Sequence, residues 1–402
     1  MEDLLHRFNP WWTKRYQFPG IAREGYLSQM LRLKGSKDVV LLTGLRRVGK
    51  TTLMHQLIHR LIEGDVPPDR VLYVSLDNLA LKDRTILDIV EAFRRMNGLG
   101  HEERTYLFLD EVHLKPDFEV QLKNLYDEGS AKVFASGSSS LDIVMRSPHL
   151  TGRQRIVRMS PLGFSEFLQF TGKTVPKGDS HLYITIADEY MRTGGIPEFV
   201  KTRDHTYLQA LVDTILYRDI AATHGIRNRE HLGDILAFVA QGVGTPLSVR
   251  KISRVLGLPV QNVSRIIDLF VEANLLHVVE REGKLSERKG NPRKIYLADT
   301  GLFQILTEDI NPGAVVENRV FLTIMGSGKP RYHRSNGSEV DFVRGREAWE
   351  AKYRSVIKDE DIKAVLRLKS YKHRTVITKD VEGKRGGVSL IPLWKFLLGN
   401  EA

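Results

Sequence analysis

The chain has 402 residues, a formal net charge of +11 at pH 7, 42% hydrophobic residues and no cysteine. Its length predicts two or three globular domains, and the lack of cysteine excludes a disulfide framework and thiolate metal sites and suits the cytoplasm. The positive charge favours a polyanionic partner, nucleic acid above all. No apolar run approaches about 18 residues and no signal-peptide core is visible, so we expect no membrane partner.

Residues 1–37 are expected to form an N-terminal segment before the first domain. Asn9-Pro10-Trp11-Trp12 predicts a turn that carries two large aromatic side chains. These side chains either anchor the segment to a core or flank a bound base.

The next stretch combines a strand, a glycine loop and a helix. Val39–Leu42 has the length of a buried parallel strand, and Gly44 followed by Gly49-Lys50-Thr51 fits G-x-x-x-x-G-K-[ST], the phosphate-binding loop. Lys50 would reach the β- and γ-phosphates, and the Thr51 hydroxyl would bind Mg²⁺ at the start of the following helix. The alternative is a chance glycine turn, which the strand–loop–helix order disfavours. Residues expected to bind the nucleotide are Gly44, Arg46, Arg47, Val48, Gly49, Lys50, Thr51 and Thr52.

A second acidic signature follows about sixty residues later. After a predicted strand at Val71–Leu76 and a helix at Thr85–Met96, four apolar residues at 106–109 precede Asp110 and Glu111. Asp110 would hold Mg²⁺ through water, and Glu111 would act as the general base on the attacking water. An apolar strand that ends in acids is common, but its position after a phosphate loop favours the catalytic interpretation.

Two further side chains are candidates near this site. A strand at Lys132–Ser136 leads to Ser138, which either senses the γ-phosphate or caps a helix. Arg153 precedes the last predicted strand, Arg155–Met159. It is either a finger for a neighbouring subunit's nucleotide in a homo-oligomer or a surface arginine paired with an acid. The alternation of strands and helices over residues 38–160 predicts a doubly wound α/β fold with a parallel sheet.

These segments together resemble the prokaryotic AAA+-type P-loop ATPases that carry a long C-terminal extension. The resemblance rests on the motifs Gly44–Thr51, Leu107–Glu111, Gly137-Ser138-Ser139, Leu150–Arg153 and Pro161–Leu168. It implies ATP and Mg²⁺ as cofactors. It also implies an ATPase core over residues 38–170 and a helical lid over 171–244, with Arg192 or Arg218 as a second sensor.

Residues 245–305 are predicted to be a winged helix. Helices at Ser248–Leu256 and Val260–Ala273 surround a Gly-Leu-Pro turn, and strands at Leu275–Val279 and Lys294–Leu297 follow. The exposed face of the second helix and the basic wing would contact DNA, unless the module only packs against other domains. The residues expected at that surface are Gln261, Asn262, Ser264, Arg265, Arg288, Lys289, Arg293 and Lys294.

Residues 306–402 carry a second acidic constellation. Asp341 lies on a predicted strand, and Glu350 and Lys352 share one face of the next strand. This pattern resembles the PD-(D/E)XK nuclease motif, with Val340 in place of the proline, and Glu317 on a predicted helix matches the helical acid of that fold. The resemblance implies Mg²⁺ or Mn²⁺ bound by Glu317, Asp341 and Glu350, with Lys352 at the scissile phosphate. The alternative is a structural Glu–Lys pair on a surface strand.

Three functions are compatible with these motifs. The first is an ATPase coupled to metal-dependent cleavage of DNA. The second is a nucleotide-switched regulatory ATPase that binds DNA or protein without nuclease activity. The third, an ATPase for protein clients, is disfavoured by the winged helix and the basic charge.

Overall fold

The computed structural model describes residues 1–18, 20–137, 149–176, 179–335 and 337–400. The chain divides into two compact units, Met1–Ser160 and Pro161–Ala402. Each unit has its own sheet and is described by itself below.

The first unit is built on a five-stranded sheet in the order β2-β3-β4-β1-β5. Every neighbouring pair in it is parallel, which confirms the predicted parallel α/β architecture. The carboxyl ends of all five strands therefore meet at one edge, where ligands of such sheets bind. The strands are β1 Val39–Thr43, β2 Val71–Ser75, β3 Thr105–Asp110, β4 Ala131–Ser136 and β5 Gln154–Arg158.

The helices of this unit pack apolar faces against the sheet. The helix at Ile86–Met96 shows the pattern: Thr85 caps its first turn by accepting from the Asp88 amide, and its sheet-facing side buries Ile89 and Phe93. The helices are Glu2–Phe8, Glu24–Arg32, Lys50–Glu63, Ile86–Met96 and Phe118–Glu128, with 3₁₀ turns at Pro10–Trp12, Pro68–Arg70, Leu79–Leu81 and Val112–Leu114.

The N-terminal segment covers the edge strand β2. Asn9 is fully buried, accepts the Tyr73 amide at 2.6 Å and donates to the Tyr73 carbonyl at 2.9 Å, so it replaces a missing neighbouring strand. The indole N–H groups of Trp11 and Trp12 both donate to the Val71 carbonyl, at 3.1 and 3.0 Å. Of the two predicted roles for these aromatics, their contacts show core anchoring.

The second unit contains a six-stranded mixed sheet in the order β12-β13-β11-β10-β9-β8 and a two-stranded hairpin, β6-β7. The strands are β6 Leu276–Val279, β7 Lys294–Leu297, β8 Arg331–Ser335, β9 Ser338–Arg344, β10 Glu347–Ala351, β11 His373–Thr378, β12 Gly383–Arg385 and β13 Val388–Pro392. Pairing is antiparallel from β8 to β10, parallel from β10 through β11 to β13, and antiparallel between β13 and β12.

Helices form the remainder of this unit. Those in residues 161–325 are Phe164–Thr171, Ser180–Thr193, Pro197–Thr202, His205–Asp213, Glu230–Gln241, Val249–Leu256, Val260–Glu272, Leu285–Gly290, Phe303–Leu306 and Pro312–Met325. A π-helix spans Thr214–Ala222, and a 3₁₀ turn spans Thr300–Leu302. Helices Asp359–Arg367 and Leu393–Asn400 pack against the six-stranded sheet.

A buried polar network ties the helical part of this unit to its later elements. The Asp299 carboxylate is fully buried and accepts from the amides of Gly195 at 2.6 Å and Gly301 at 2.8 Å. A Cβ on Gly194 would lie 1.8 Å from the same carboxylate, so only glycine fits there. Arg319 lies 3.7 Å from Asp299 and donates to the Tyr190 hydroxyl. Gly194 and Gly195, which interrupt the helical pattern, are therefore the residues through which this part of the chain contacts Asp299.

Candidate functional site

The phosphate-binding loop follows directly from β1. Gly44 has φ +142°, and a Cβ there would lie 2.2 Å from the Met159 carbonyl oxygen, so the loop requires glycine at this position. Lys50 begins the next helix, and its buried ammonium donates to the carbonyl oxygens of Gly44 at 3.0 Å and Leu45 at 3.1 Å. The lysine thus lies inside the curl of backbone where a phosphate would bind.

Asp110 lies beside this loop at the end of β3. It accepts from the Thr51 hydroxyl at 2.6 Å and from the Tyr73 hydroxyl at 3.0 Å, and the Ser136 hydroxyl donates to its other oxygen. A hydroxyl and a carboxylate in contact offer the hard oxygen ligands that Mg²⁺ prefers, so these residues fit the predicted ion. Burial, followed by the charge of Asp110, raises the pKa of Tyr73 and keeps its phenol protonated.

Glu111 is held in a left-handed backbone conformation, with φ +57°, immediately after the strand. Burial raises the pKa of this carboxyl, while the positive charges of Lys50 and Arg46 oppose the shift. A raised pKa brings a carboxylate closer to the basicity that a general base needs.

Sequence reasoning missed Tyr73 and His113 at this site. The His113 Nδ1 lies 3.4 Å from a Glu111 carboxylate oxygen. Burial, followed by the charges of Lys50 and Arg46, lowers the pKa of His113 to about 4, so the ring is neutral at pH 7 and lies beside Glu111 without adding charge. In the sequence, His113 is marked only by its place two residues after Glu111. Tyr73 is marked only by its place on a strand next to the one that ends in Asp110.

The remaining predicted residues of the nucleotide site take different positions. Val48 is buried, and its carbonyl accepts from Arg23 at 3.3 Å. Arg47 is exposed with φ +64°, Arg46 is half-buried, and Thr52 is exposed on the helix. Ser138 lies outside the described residues.

Arg153 lies away from the phosphate-binding loop of its own chain. It precedes Gln154, which pairs with Val39 at the amino end of β1, whereas the loop follows the carboxyl end of that strand. Its guanidinium lies 3.7 Å from the Asp127 carboxylate and stacks over the Tyr126 ring. This is the pairing with an acid that was the alternative to a finger, and the position excludes contact with this chain's own nucleotide.

A second polar centre forms in the C-terminal unit around Lys294. Its ammonium lies 3.1 Å from Glu317, 2.7 Å from Glu339 and 3.7 Å from Asp341, and only 1% of its side chain is exposed. The prediction that Lys294 contacts DNA phosphates is wrong, because the carboxylates hold it inside the fold.

The predicted nuclease-like residues meet at the same centre. The Lys352 ammonium contacts Glu350 at 2.6 Å, Glu350 accepts the Asp341 amide at 3.1 Å, and Asp341 accepts the Ala351 amide at 2.9 Å. Glu350 lies on β10, and Lys352 follows that strand directly. The structure thus brings together all four residues that the sequence singled out here, and adds Glu339 and Lys294.

The acids of this centre outnumber the cations that contact them. Burial and then the charge of Asp341 raise the pKa of Glu317 to about 7 and that of Glu350 to about 8. Across the described ranges, however, no group of three or more acidic or histidine side chains is placed so that it could hold a metal ion. The carboxylates surround the ammonium of Lys294 and do not converge on a free point, so the centre as folded does not fit the predicted divalent ion.

The predicted DNA-contacting helix is Val260–Glu272. Its buried side carries Val263, Ile266, Ile267 and Phe270 as predicted. On its other side Gln261, Asn262 and Arg265 are exposed and Ser264 is half-buried. In the wing, Arg288 lies 3.6 Å from Glu280 and Arg293 lies 3.8 Å from Asp268, so these two basic side chains already have acidic partners.

The fold and the loop define the first unit as a P-loop nucleotide-binding domain. Residues 36–168 match a family model described as an AAA domain, which makes this part of the chain an AAA-type ATPase domain. Residues 184–311 match a model described as a domain of unknown function (DUF8612). The expected P-loop ATPase core is thereby confirmed, whereas the winged-helix and nuclease-like assignments stay predictions.

Uncharacterised proteins from several organisms are similar to most of the chain. One from Methanocaldococcus jannaschii is 26% identical over 320 residues, covering 71% of this chain and 67% of that protein. One from Haemophilus influenzae is 26% identical over 80% of this chain and 83% of its own length. One from Mycobacterium tuberculosis is 27% identical, and the match spans 73% of this chain and 62% of that protein.

Solved structures give distant matches. The ADP complex of Saccharomyces cerevisiae Hsp104 aligns with a TM-score of 0.36 and 20% identity over 65% of this chain and 51% of that one. AMPPCP-bound DnaA from Aquifex aeolicus aligns with a TM-score of 0.32 and 14% identity over 63% of this chain and 90% of that one. In the part of the chain that the structure describes, no helix combines the length and apolarity needed to cross a membrane.

Proposed function

We propose that this protein is an ATP-hydrolysing enzyme that acts on DNA, with ATP bound by residues 44–52 and a nuclease-like centre in residues 306–402. The observation that carries the ATPase half is the 2.6 Å contact between Thr51 and Asp110 beside the Lys50 ammonium. Two motifs recognised separately thus supply adjacent groups for one nucleotide.

Each of these side chains has a distinct task in hydrolysis. Lys50 would exchange its two carbonyl partners for phosphate oxygens, and Thr51 and Asp110 would hold Mg²⁺, which neutralises charge on the phosphates. Glu111, with the neutral His113 ring beside it, would take the proton of the attacking water.

Substitutions at Lys50 and Glu111 separate binding from hydrolysis. We expect Lys50→Ala to lose ATP binding, and Glu111→Gln to bind ATP while hydrolysing it about 100-fold or more slowly. Fluorescent-nucleotide titration and phosphate release measure the two steps, with the exposed Lys14→Ala as a matched control. Hydrolysis by Lys50→Ala at the wild-type rate would refute the assignment.

DNA binding is proposed for the helices Val249–Leu256 and Val260–Glu272. Their exposed basic side chains are Arg250, Lys251, Arg254 and Arg265. Each lost phosphate contact lowers the slope of log affinity against log salt by about one. We expect the double variant Arg254→Ala, Arg265→Ala to bind duplex DNA more weakly and with a smaller slope, whereas Lys14→Ala keeps both. Unchanged affinity and slope would favour a module that packs against protein.

Cleavage of DNA is proposed for the centre at Asp341, Glu350 and Lys352, on the support of their close mutual contacts, in a state in which Lys294 has moved away from Asp341 and leaves room for a metal ion. Incubation with branched, single-stranded and duplex DNA, with and without ATP and Mn²⁺, tests it. Asp341→Asn and Lys352→Met should each abolish any cleavage that the wild type performs.

A second candidate function is a nucleotide-switched DNA-binding protein without nuclease activity. The observation that favours it is Lys294, whose ammonium lies among the carboxylates of Glu317, Glu339 and Asp341. DNA binding without cleavage in any divalent metal would select this candidate.

A further inference from the structure

Lys294 has no role in the chemistry proposed above, yet it lies at the middle of the acidic centre. It belongs to β7, in the hairpin, whereas its carboxylate partners lie on the helix Pro312–Met325 and on β9. Tyr296, two residues further along β7 and on the same face, donates to Glu317 at 2.7 Å. One face of β7 therefore supplies two polar groups to this centre: Lys294 to acids on the helix and on β9, and Tyr296 to the helical Glu317.

Burying a lysine at this position is unfavourable unless nearby carboxylates pair with it. All four residues of β7 are buried, and such a strand ordinarily carries apolar side chains. Moving an ammonium out of water costs several kcal/mol. The Lys294 ammonium lies 3.1 Å from Glu317, 2.7 Å from Glu339 and 3.7 Å from Asp341, and these three ion pairs offset that cost. The carboxylates therefore hold the side chain as a cation.

The other cations of the centre lie at its rim. Lys352 is 31% exposed and contacts Glu350, and Arg334 is 54% exposed at 4.0 Å from Glu339. Among the described residues neither forms an ion pair with Glu317 or Asp341, whereas Lys294 lies 3.1 Å from the first and 3.7 Å from the second.

We propose that Lys294 is a tethered cation that takes the place of a divalent metal ion among Glu317, Glu339 and Asp341 and closes this centre to such ions. An ion bound by the same oxygens, at about 2.1 Å for Mg²⁺, would face the ammonium at close range and be repelled. The Glu317 carboxylate packs closely against Gly244, because a Cβ on that glycine would lie 2.8 Å from it. Glu317 therefore has little room to turn away. Metal entry therefore requires Lys294 to leave.

Mn²⁺ titration of the full chain, followed by electron paramagnetic resonance, tests this inference. All proteins carry Lys50→Ala, so that the phosphate-binding loop contributes no nucleotide-linked ion. We expect Lys294→Met to bind Mn²⁺ at one site for which the parent protein has at least tenfold weaker affinity. Adding Asp341→Asn to Lys294→Met should remove that site. Lys294→Arg keeps the charge, and the neighbouring Arg293→Met removes a charge that pairs with Asp268 instead. Both should behave like the parent.

Two results would overturn the inference. One is a parent protein that already binds Mn²⁺ as tightly as Lys294→Met and loses the ion on Asp341→Asn. The other is a folded Lys294→Met that gains no Mn²⁺. The parent measurement stands even when Lys294→Met fails to fold, and a variant that folds only with Mn²⁺ supports the inference. None of these measurements follows DNA cleavage. They therefore test this inference separately from the proposed nuclease activity.

Discussion

Single residues fix the geometry of the nucleotide site, and Gly44 shows this most directly. Its φ of +142° and the Met159 carbonyl oxygen, 2.2 Å from the place of a Cβ, leave no room for a side chain. The first glycine of the motif is therefore required by packing as well as by phosphate binding.

We expect Gly44→Ala to lose nucleotide binding and to destabilise the first unit by about 2 kcal/mol or more, because the change adds backbone strain and a clash. Gly25, which has open space at its Cβ inside the helix Glu24–Arg32, is the matched control. Gly25→Ala should stabilise by about 0.5–1 kcal/mol. Urea unfolding with and without ATP measures both. Equal stability of Gly44→Ala and the wild type would contradict the structure.

His277 predicts a pH dependence of stability at the residue scale. Burial lowers its pKa from 6.5 to about 4, and its ring packs against Phe321. As the pH falls below 6.5 the unfolded chain takes up a proton first, so stability is lost between pH 6.5 and about 4. We expect His277→Leu to reduce the loss of unfolding free energy between pH 7 and pH 5 by about 1–2 kcal/mol.

The control for His277 is the exposed His224→Leu, which should leave the pH profile unchanged. Denaturant melts at half-unit pH steps give the comparison. Parallel profiles for wild type and His277→Leu would show that this imidazole titrates alike in both states.

At the scale of elements, the N-terminal segment protects the sheet. Asn9 satisfies the amide and the carbonyl of Tyr73 on the free side of edge strand β2. This substitutes a side-chain amide for a whole neighbouring strand.

We expect Asn9→Ala to cost about 2–4 kcal/mol, because it leaves two buried backbone groups without partners. Asn97→Ala is the control: it removes a half-buried hydrogen bond at a helix end and should cost about 1 kcal/mol or less. Thermal and urea unfolding of both variants test this, and a cost for Asn9→Ala no larger than for Asn97→Ala would speak against the edge-capping role.

At the scale of the whole molecule, each compact unit contains a core of its own. One apolar cluster runs from Leu4 to Leu150, within the first unit, and another from Val340 to Leu390, within the second. A hydrophobic core of its own is what a compact unit needs in order to fold by itself.

We expect a fragment of residues 1–160 to unfold cooperatively and to be stabilised by Mg·ATP, by about 2.7 kcal/mol at 100 times the dissociation constant. The fragment 161–402 is the matched control, with a melting temperature that ATP leaves unchanged. Calorimetry on both gives the result. A 1–160 fragment that folds but shows no shift with ATP would place essential nucleotide contacts elsewhere.

Local chemistry explains which parts of this protein could be predicted from sequence. The phosphate-binding loop, the acids at the carboxyl end of β3 and the buried side of Val260–Glu272 each depend on neighbours within a few residues, and all three formed as expected. Glu350 and Lys352 were placed together because strand periodicity puts alternate residues on one face.

Tertiary structure alone decided which polar groups share a site. Tyr73 on β2 contacts Asp110 on the neighbouring strand β3. Lys294 on β7 contacts Glu339 on β9, which lies 45 residues later in the chain and in a different sheet. The sequence presented Lys294 as one more basic residue of an exposed wing. Burial among carboxylates is a property of the packed chain, since the partners that make it affordable come together only when distant segments meet.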